Sequence, residues 1–138
     1  MLKDTINCDD PPFYPEGFAV EEHVKSGLLH WDKDLQKAAL WRAEGQQNGK
    51  VLEGHDLRTE LRGRPVLNAC ALDYLVAHPQ LIPDEWKGKC IFFWGTIYRS
   101  RGNLYVRYLC WGDGRWDWDD RWLGSSWGGG APAVMRAS

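Results

Sequence analysis

A chain of 138 residues with an apolar share of 43% is long enough for one ordinary domain with a core, and too short for two. Lys and Arg number 17 and Asp and Glu 19, for a net charge of −2. That excludes the basic footprint of a dedicated nucleic-acid binder and the polybasic patch of a membrane anchor. No apolar run is long enough to span a bilayer, so membrane insertion is not expected.

In chain order, residues 1–17 (MLKDTINCDDPPFYPEG) are charged and Pro-rich and read as an extended, loosely ordered lead-in. They lack the apolar stretch of a secretory signal, so a cytoplasmic location is the default expectation, with surface display by another route left open. FAVEEHV (18–24) reads as a strand, KSG as a turn and LLHW (28–31) as its return. Asp32 is a suitable N-cap for a helix over about 33–44, with Leu35, Ala38, Ala39 and Trp41 on its apolar side and Gly45 as its stop. A short helix is expected over 55–62. The strongest helix signal is Asn68 capping ACALDYLVA (69–77), where Leu72, Leu75 and Val76 form one face and Pro79 blocks continuation.

The composition then changes. CIFFWGTIYR (90–99) is apolar on both parities, like a strand buried on two faces, and LYVRYLCW (104–111) returns after the SRGN turn, which predicts a β-hairpin. No Lys follows Lys89, no Glu follows Glu85 and no Gln follows Gln80. No linker separates the helical half from the Trp- and Gly-rich half. The expected organisation is therefore a single α+β domain over 18–138: an N-terminal strand and helices, a β-hairpin, then an irregular Trp-rich C-terminal region.

The chain carries no phosphate-binding, dinucleotide-binding, nucleophile-elbow or zinc-protease motif. His23, His30, His55 and His78 are scattered, and general acid–base work needs a positioned partner. Cys8, Cys70, Cys90 and Cys110 show no zinc-ligand spacing and read as buried reduced thiols; a Cys90–Cys110 pairing across a hairpin is open, though nothing in the spacing indicates it. The cluster Asp113, Asp117, Asp119 and Asp120 lacks the alternating oxygens and closing Glu of a calcium loop. No catalytic residue, metal or cofactor is therefore expected.

From Cys110 to Pro132 the chain reads CWGDGRWDWDDRWLGSSWGGGAP, with five of the nine tryptophans. Trp111, Trp116, Trp118, Trp122 and Trp127 form a frame, with Leu123, Pro132 and Ala133 beside them. The gaps hold only Gly, Asp, Arg, Ser and Ala. Trp116 and Trp118, two apart, would share one side of a strand while Asp117 faces the other; the four- and five-residue intervals that follow suggest loops. Each indole can bury roughly 150–250 Å², so the expected arrangement is tryptophans inward as pegs and gap residues outward.

A fixed aromatic frame with interchangeable gaps resembles the variable region of proteins diversified by retroelements that miscopy template adenines. The segments VLNACALDYLVAHPQLIPDEWKGK and FFWGTIYR likewise resemble those of small proteins from reduced-genome bacterial lineages, in which such a ladder follows. In those systems Asn codons become Asp, Gly, Ser, Arg, Ala, Tyr, His, Cys or Thr, and never Lys, Glu, Gln, Met or Trp. Every gap residue here lies in the reachable set.

The resemblance implies a C-type-lectin-like fold and a non-enzymatic binding role, with 111–131 as the variable region. Asp113, Arg115, Asp117, Asp119, Asp120, Arg121, Ser125 and Ser126 would then face an unknown protein or glycan ligand. Two alternatives stand beside it: a carbohydrate-binding module stacking sugars on exposed indoles, and a structural protein with no small ligand. An enzyme built on the aspartates would need a pocket that perturbs a carboxylate.

Overall fold

The computed structural model describes residues 4–31 and 38–137. Four strands come first: β1 (Asp4–Asn7), β2 (Ala19–His23), β3 (Leu28–Trp31) and β4 (Ala38–Trp41). The short β5 (Leu52–Glu53) leads into helix α1 (Gly54–Glu60), and α2 (Ala69–Ala77) follows. The remainder is mostly strand: β6 (Cys90–Phe92), β7 (Thr96–Ser100), β8 (Asn103–Gly112), β9 (Arg115–Trp122), β10 (Ser126–Trp127) and β11 (Ala133–Arg136). The fold is a small single α+β domain, strand-rich, with a curled sheet.

Strand β8 organises that sheet. One of its edges carries β9 along residues 105–112, and the other carries β7 and then β6, end to end. The sheet therefore divides into two arms, β7–β2 and β6–β11–β4. The predicted strand 90–99 is in fact two: the register against β8 advances by three residues between Phe92↔Tyr108 and Tyr98↔Tyr105, with Phe93–Gly95 left between them. The apolar run on both parities reflects burial on both faces. Ile91 and Phe93 enter the core beneath α2, with Leu72, Leu75 and Leu109, while Phe92 enters a second core with Leu57, Val106, Leu123 and Trp127.

Helix α2 forms as its local signals require. The Asn68 side chain accepts the Cys70 amide at 3.0 Å, and its own NH₂ donates to the carbonyls of Cys8 and Val24. The cap residue thus also pins the N-terminal segment. Arg107 on β8, 1% exposed, donates two hydrogen bonds to Asp73 on α2 at 2.8 and 3.1 Å. Such a fork matches the carboxylate geometrically, and removing Asp73 would leave the buried Arg107 charge without its partner.

Four expectations change. The helix placed over 33–44 is a strand where it can be seen: Ala38–Trp41 pairs antiparallel with β11, while 32–37 lie outside the described residues. Alanine favours helix by only a few tenths of a kcal/mol per residue, less than a four-residue ladder and its packing supply. The strand LLHW pairs with β1 instead of returning on β2, which pairs with β7. The lead-in is accordingly not loose: Ile6 is 3% exposed and Cys8 is fully buried. Finally, the Trp-rich region is largely regular, because Trp116, Trp118 and Trp122 all have the same parity within β9.

Candidate ligand-binding face

The β8–β9 hairpin turns on Asp113 and Gly114, with φ of +52° and +77°. Consecutive left-handed residues make a two-residue turn whose twist matches that of the strands, and Asp-Gly is a favoured pair for it. An uninterrupted ladder follows, from Gly112↔Arg115 to Tyr105↔Trp122. Alternation then sorts β9 into two faces. Trp116, Trp118, Asp120 and Trp122 project to one side, and Arg115, Asp117, Asp119 and Arg121 to the other.

The indole side is held from several directions. Trp111 and Trp116 meet edge to face at 5.4 Å, and Lys87 Nζ caps the Trp111 ring at 4.0 Å. The Arg107 guanidinium lies 4.0 Å from the Trp118 ring centroid, whose other neighbour is Phe13 at 6.2 Å. Trp127, in β10, is fully buried against Phe92 and Trp94, both at 5.3 Å. Trp122 breaks the expected pattern at 48% exposure. Its ring overlies Gly124, where an added Cβ would come within 2.3 Å of it. Gly124 is therefore not a freely interchangeable position.

The opposite side is open. Tyr108, Cys110 and Gly112 of β8 line a shallow hollow of about 270 Å³ with Asp113, Arg115, Asp117 and Asp119 at its rim. Farther along the same side the Arg121 guanidinium lies 5.0–5.6 Å from the ring centroids of Phe92, Trp127 and Tyr108. Arg115 reaches Asp117 Oδ2 at 3.5 Å, both side chains largely exposed, so the contact adds little stability. Burial, and then the charge of Asp119, push the Tyr108 hydroxyl above its ordinary pKa.

Asp117 and Asp119 have a second role. Each accepts the amide N–H of the next residue, Trp118 or Asp120, through Oδ1 at 2.8 Å. No strand pairs with the outer edge of β9 among the described residues, and these carboxylates occupy two of its donors. An edge so charged and capped resists pairing with another chain.

Of the residues expected to bind ligand, Asp113, Arg115, Asp117, Asp119 and Arg121 share the open side. Asp120 does not: it faces the indole side near Arg107, and burial, reinforced by the Asp119 charge and opposed by Arg107, raises its pKa. Ser125 and Ser126 lie in the following turn and β10, where the Ser125 carbonyl accepts the Gly54 amide and the Ser126 carbonyl meets Arg121 at 3.4 Å. Tyr108 and Cys110 were not anticipated. Reading the Asp-Gly pair as a hairpin turn would have placed them, since it sets the register that puts both opposite aspartates. Gln46 is 1% exposed; it accepts the Ala43 amide and donates to the carbonyls of Gly128 and Ala131, clamping the Gly-rich end of the ladder.

A second constellation invites a nucleophilic reading. Cys70 Sγ lies 3.8 Å from His23 Nε2 in the first turn of α2. Yet Nε2 also stands 3.0 Å from the Asp10 carbonyl, which only accepts, and so it carries the proton there. Nδ1 is turned to the Thr96 hydroxyl at 2.8 Å. No ring lone pair faces the thiol, and burial raises Cys70 to about 11. The pair lacks the activated thiolate that such chemistry needs. Among the described residues, no group of three or more His, Cys, Asp or Glu is placed to hold a metal ion, and no helix is long and apolar enough to cross a membrane.

No family model, curated protein or solved structure matches the chain.

Proposed function

We propose that the open side of the β8–β9 hairpin is the binding face of a non-enzymatic display protein, with residue identities set by diversification and an unknown protein or glycan as ligand. One observation carries this. Among the gap positions of 111–131 only Ala131 is buried, and among the frame positions only Trp122 is exposed. Residue type and exposure therefore separate at the extremes, as a diversified surface on a constant scaffold requires, while Asp120, Arg121, Gly124, Ser125 and Gly128 are half-buried like Trp111, Trp116 and Trp118. The face offers acidic groups at Asp117 and Asp119, one oxygen of each already held by the backbone. It also offers a guanidinium on an aromatic bed at Arg121, a set suited to hydroxyl- or amine-bearing partners. The C-type-lectin-like architecture is part of the proposal; the α+β composition and the C-terminal strand β11 lying inside the sheet support it.

The test is a library with Arg115, Asp117 and Asp119 replaced by the products of Asn-codon mutagenesis. Most members should fold with unfolding midpoints within a few degrees of the parent, as exposed substitutions usually cost no more than about 0.5 kcal/mol, and panning against unrelated proteins should yield binders. General loss of folding would overturn the reading. A template copy of the 111–131 coding segment, with AAC or AAT at the gap codons, should lie near the gene.

Exposure of Trp122 favours a second reading, a glycan stacked on that indole. Iodide should then quench part of the tryptophan emission, and a bound oligosaccharide should protect it. Trp122→Ala should abolish that binding while leaving the fold intact.

A further inference from the structure

Cys90 and Cys110 are register partners on β6 and β8, and their sulfurs stand 3.5 Å apart. The Cys90 amide points away from β8 and donates to the Gly130 carbonyl at 2.9 Å. The pair therefore occupies a non-hydrogen-bonded site of the antiparallel ladder, where Cα atoms approach to about 4.5 Å. A disulfide spans Cα separations of about 4.4–6.8 Å, with a sulfur–sulfur bond of about 2.05 Å. Small rotations about the two Cα–Cβ bonds close the remaining distance without moving the strands. Both thiols are free and half-buried, and Cys110 lines the hollow, so a small reagent has a route to its sulfur. The other cysteines differ: Cys8 is fully buried, and Cys70 lies against the Asp10 carbonyl and His23.

We propose that Cys90 and Cys110 form an oxidisable dithiol that closes to a cross-strand disulfide, with a peroxide as oxidant. The Cys110 thiolate attacks one peroxide oxygen, the O–O bond breaks, and the departing oxygen takes up a proton and leaves as water or an alcohol. Cys110 is then a sulfenic acid. The facing Cys90 thiol loses its proton and attacks that sulfur, and the hydroxyl leaves as water. Each sulfur gives up one electron, and the peroxide takes both. A reducing dithiol returns the pair to thiols.

Burial, then the hydrogen bond and charge of Cys110, raise the Cys90 thiol to about 11 against the opposing charge of Arg121. The bond ties β6 to β8 at the end of β6 away from the Phe93–Gly95 break, and Cys110 places it against the hollow whatever the hollow binds.

The full-length protein is treated with hydrogen peroxide under native conditions, then examined by intact mass, peptide mapping and thermal unfolding. The expected product is a monomer lighter by two hydrogens, with a Cys90–Cys110 peptide that dithiothreitol reverses. Its unfolding midpoint should be higher by roughly 5–15 °C, and closure should quicken as pH rises from neutral. The same product should form in Cys8→Ser/Cys70→Ser protein. Oxygen addition without a cross-link, a cross-link mapped to Cys8–Cys70, or linkage only between molecules would overturn the proposal. Mapping on the wild-type chain decides this even where a variant fails to fold.

Discussion

The two sides of β9 are one strand with two different physical jobs. On one side Trp116 and Trp118 rest on the core beneath α2 and on Arg107, so their identity is dictated by neighbours supplied from across the chain. On the other side Arg115, Asp117 and Asp119 touch little besides one another and the strand's own amides. A regular ladder to β8 holds the backbone for both. The contrast shows how a strand can be rigid and yet permissive: backbone pairing and one packed face fix the geometry, leaving the other face open to substitution.

Truncation of the buried frame should have the largest effect. Trp127→Ala should cost about 3–5 kcal/mol, read as a lower urea midpoint at an unchanged slope, whereas Trp122→Ala should cost about 1 kcal/mol or less. Equal costs would erase the distinction between pegs and the outward ring. Gly124→Ala comes next, at about 1 kcal/mol, because the new methyl must displace the Trp122 indole. In a Trp122→Ala background that cost should vanish, and a double-mutant cycle measures the coupling.

Replacing Arg115, Asp117 and Asp119 together with serine should move stability by no more than about 0.5 kcal/mol. It should also expose the β9 edge, since the capped amides lose their carboxylates; a rise in self-association by light scattering, without loss of folding, is the expected sign. The smallest effect belongs to Asp120. Its folded pKa is raised, so its contribution to stability is fully present below the unfolded pKa and is lost as pH rises through the folded one. The window opens just above the ordinary aspartate pKa of about 4. Asp120→Asn should lack that step and match or slightly exceed the wild type at neutral pH. A variant clearly less stable there would show that the attraction of Arg107 outweighs burial.

The site was partly legible. The alternation of Trp116, Asp117, Trp118 and Asp119 announces two faces without any knowledge of the partner strand. The outward turn of Trp122 was not legible, because parity alone assigns it to the same face as Trp118. What differs is its surroundings: the ring is 48% exposed and folds over Gly124. Asp120 was misplaced for a related reason. Its polarity suggested the open side, yet parity sends it toward Arg107, whose depth no local pattern reveals.

By itself the sequence determined the elements whose causes are local. Asn68 and Pro79 bound α2 because a cap and a missing amide act within one turn. Arg101 and Gly102 close the β7–β8 hairpin through left-handed backbone available to a Gly-containing pair. Tertiary structure alone decided the rest. Ala38–Trp41 became a strand because β11, some ninety residues later, offered an edge to pair with, and 90–99 divides into β6 and β7 because the two pair with β8 in registers three residues apart. Capping and turn geometry are complete within a few residues, whereas strand pairing and burial depend on partners that only the folded chain brings within reach.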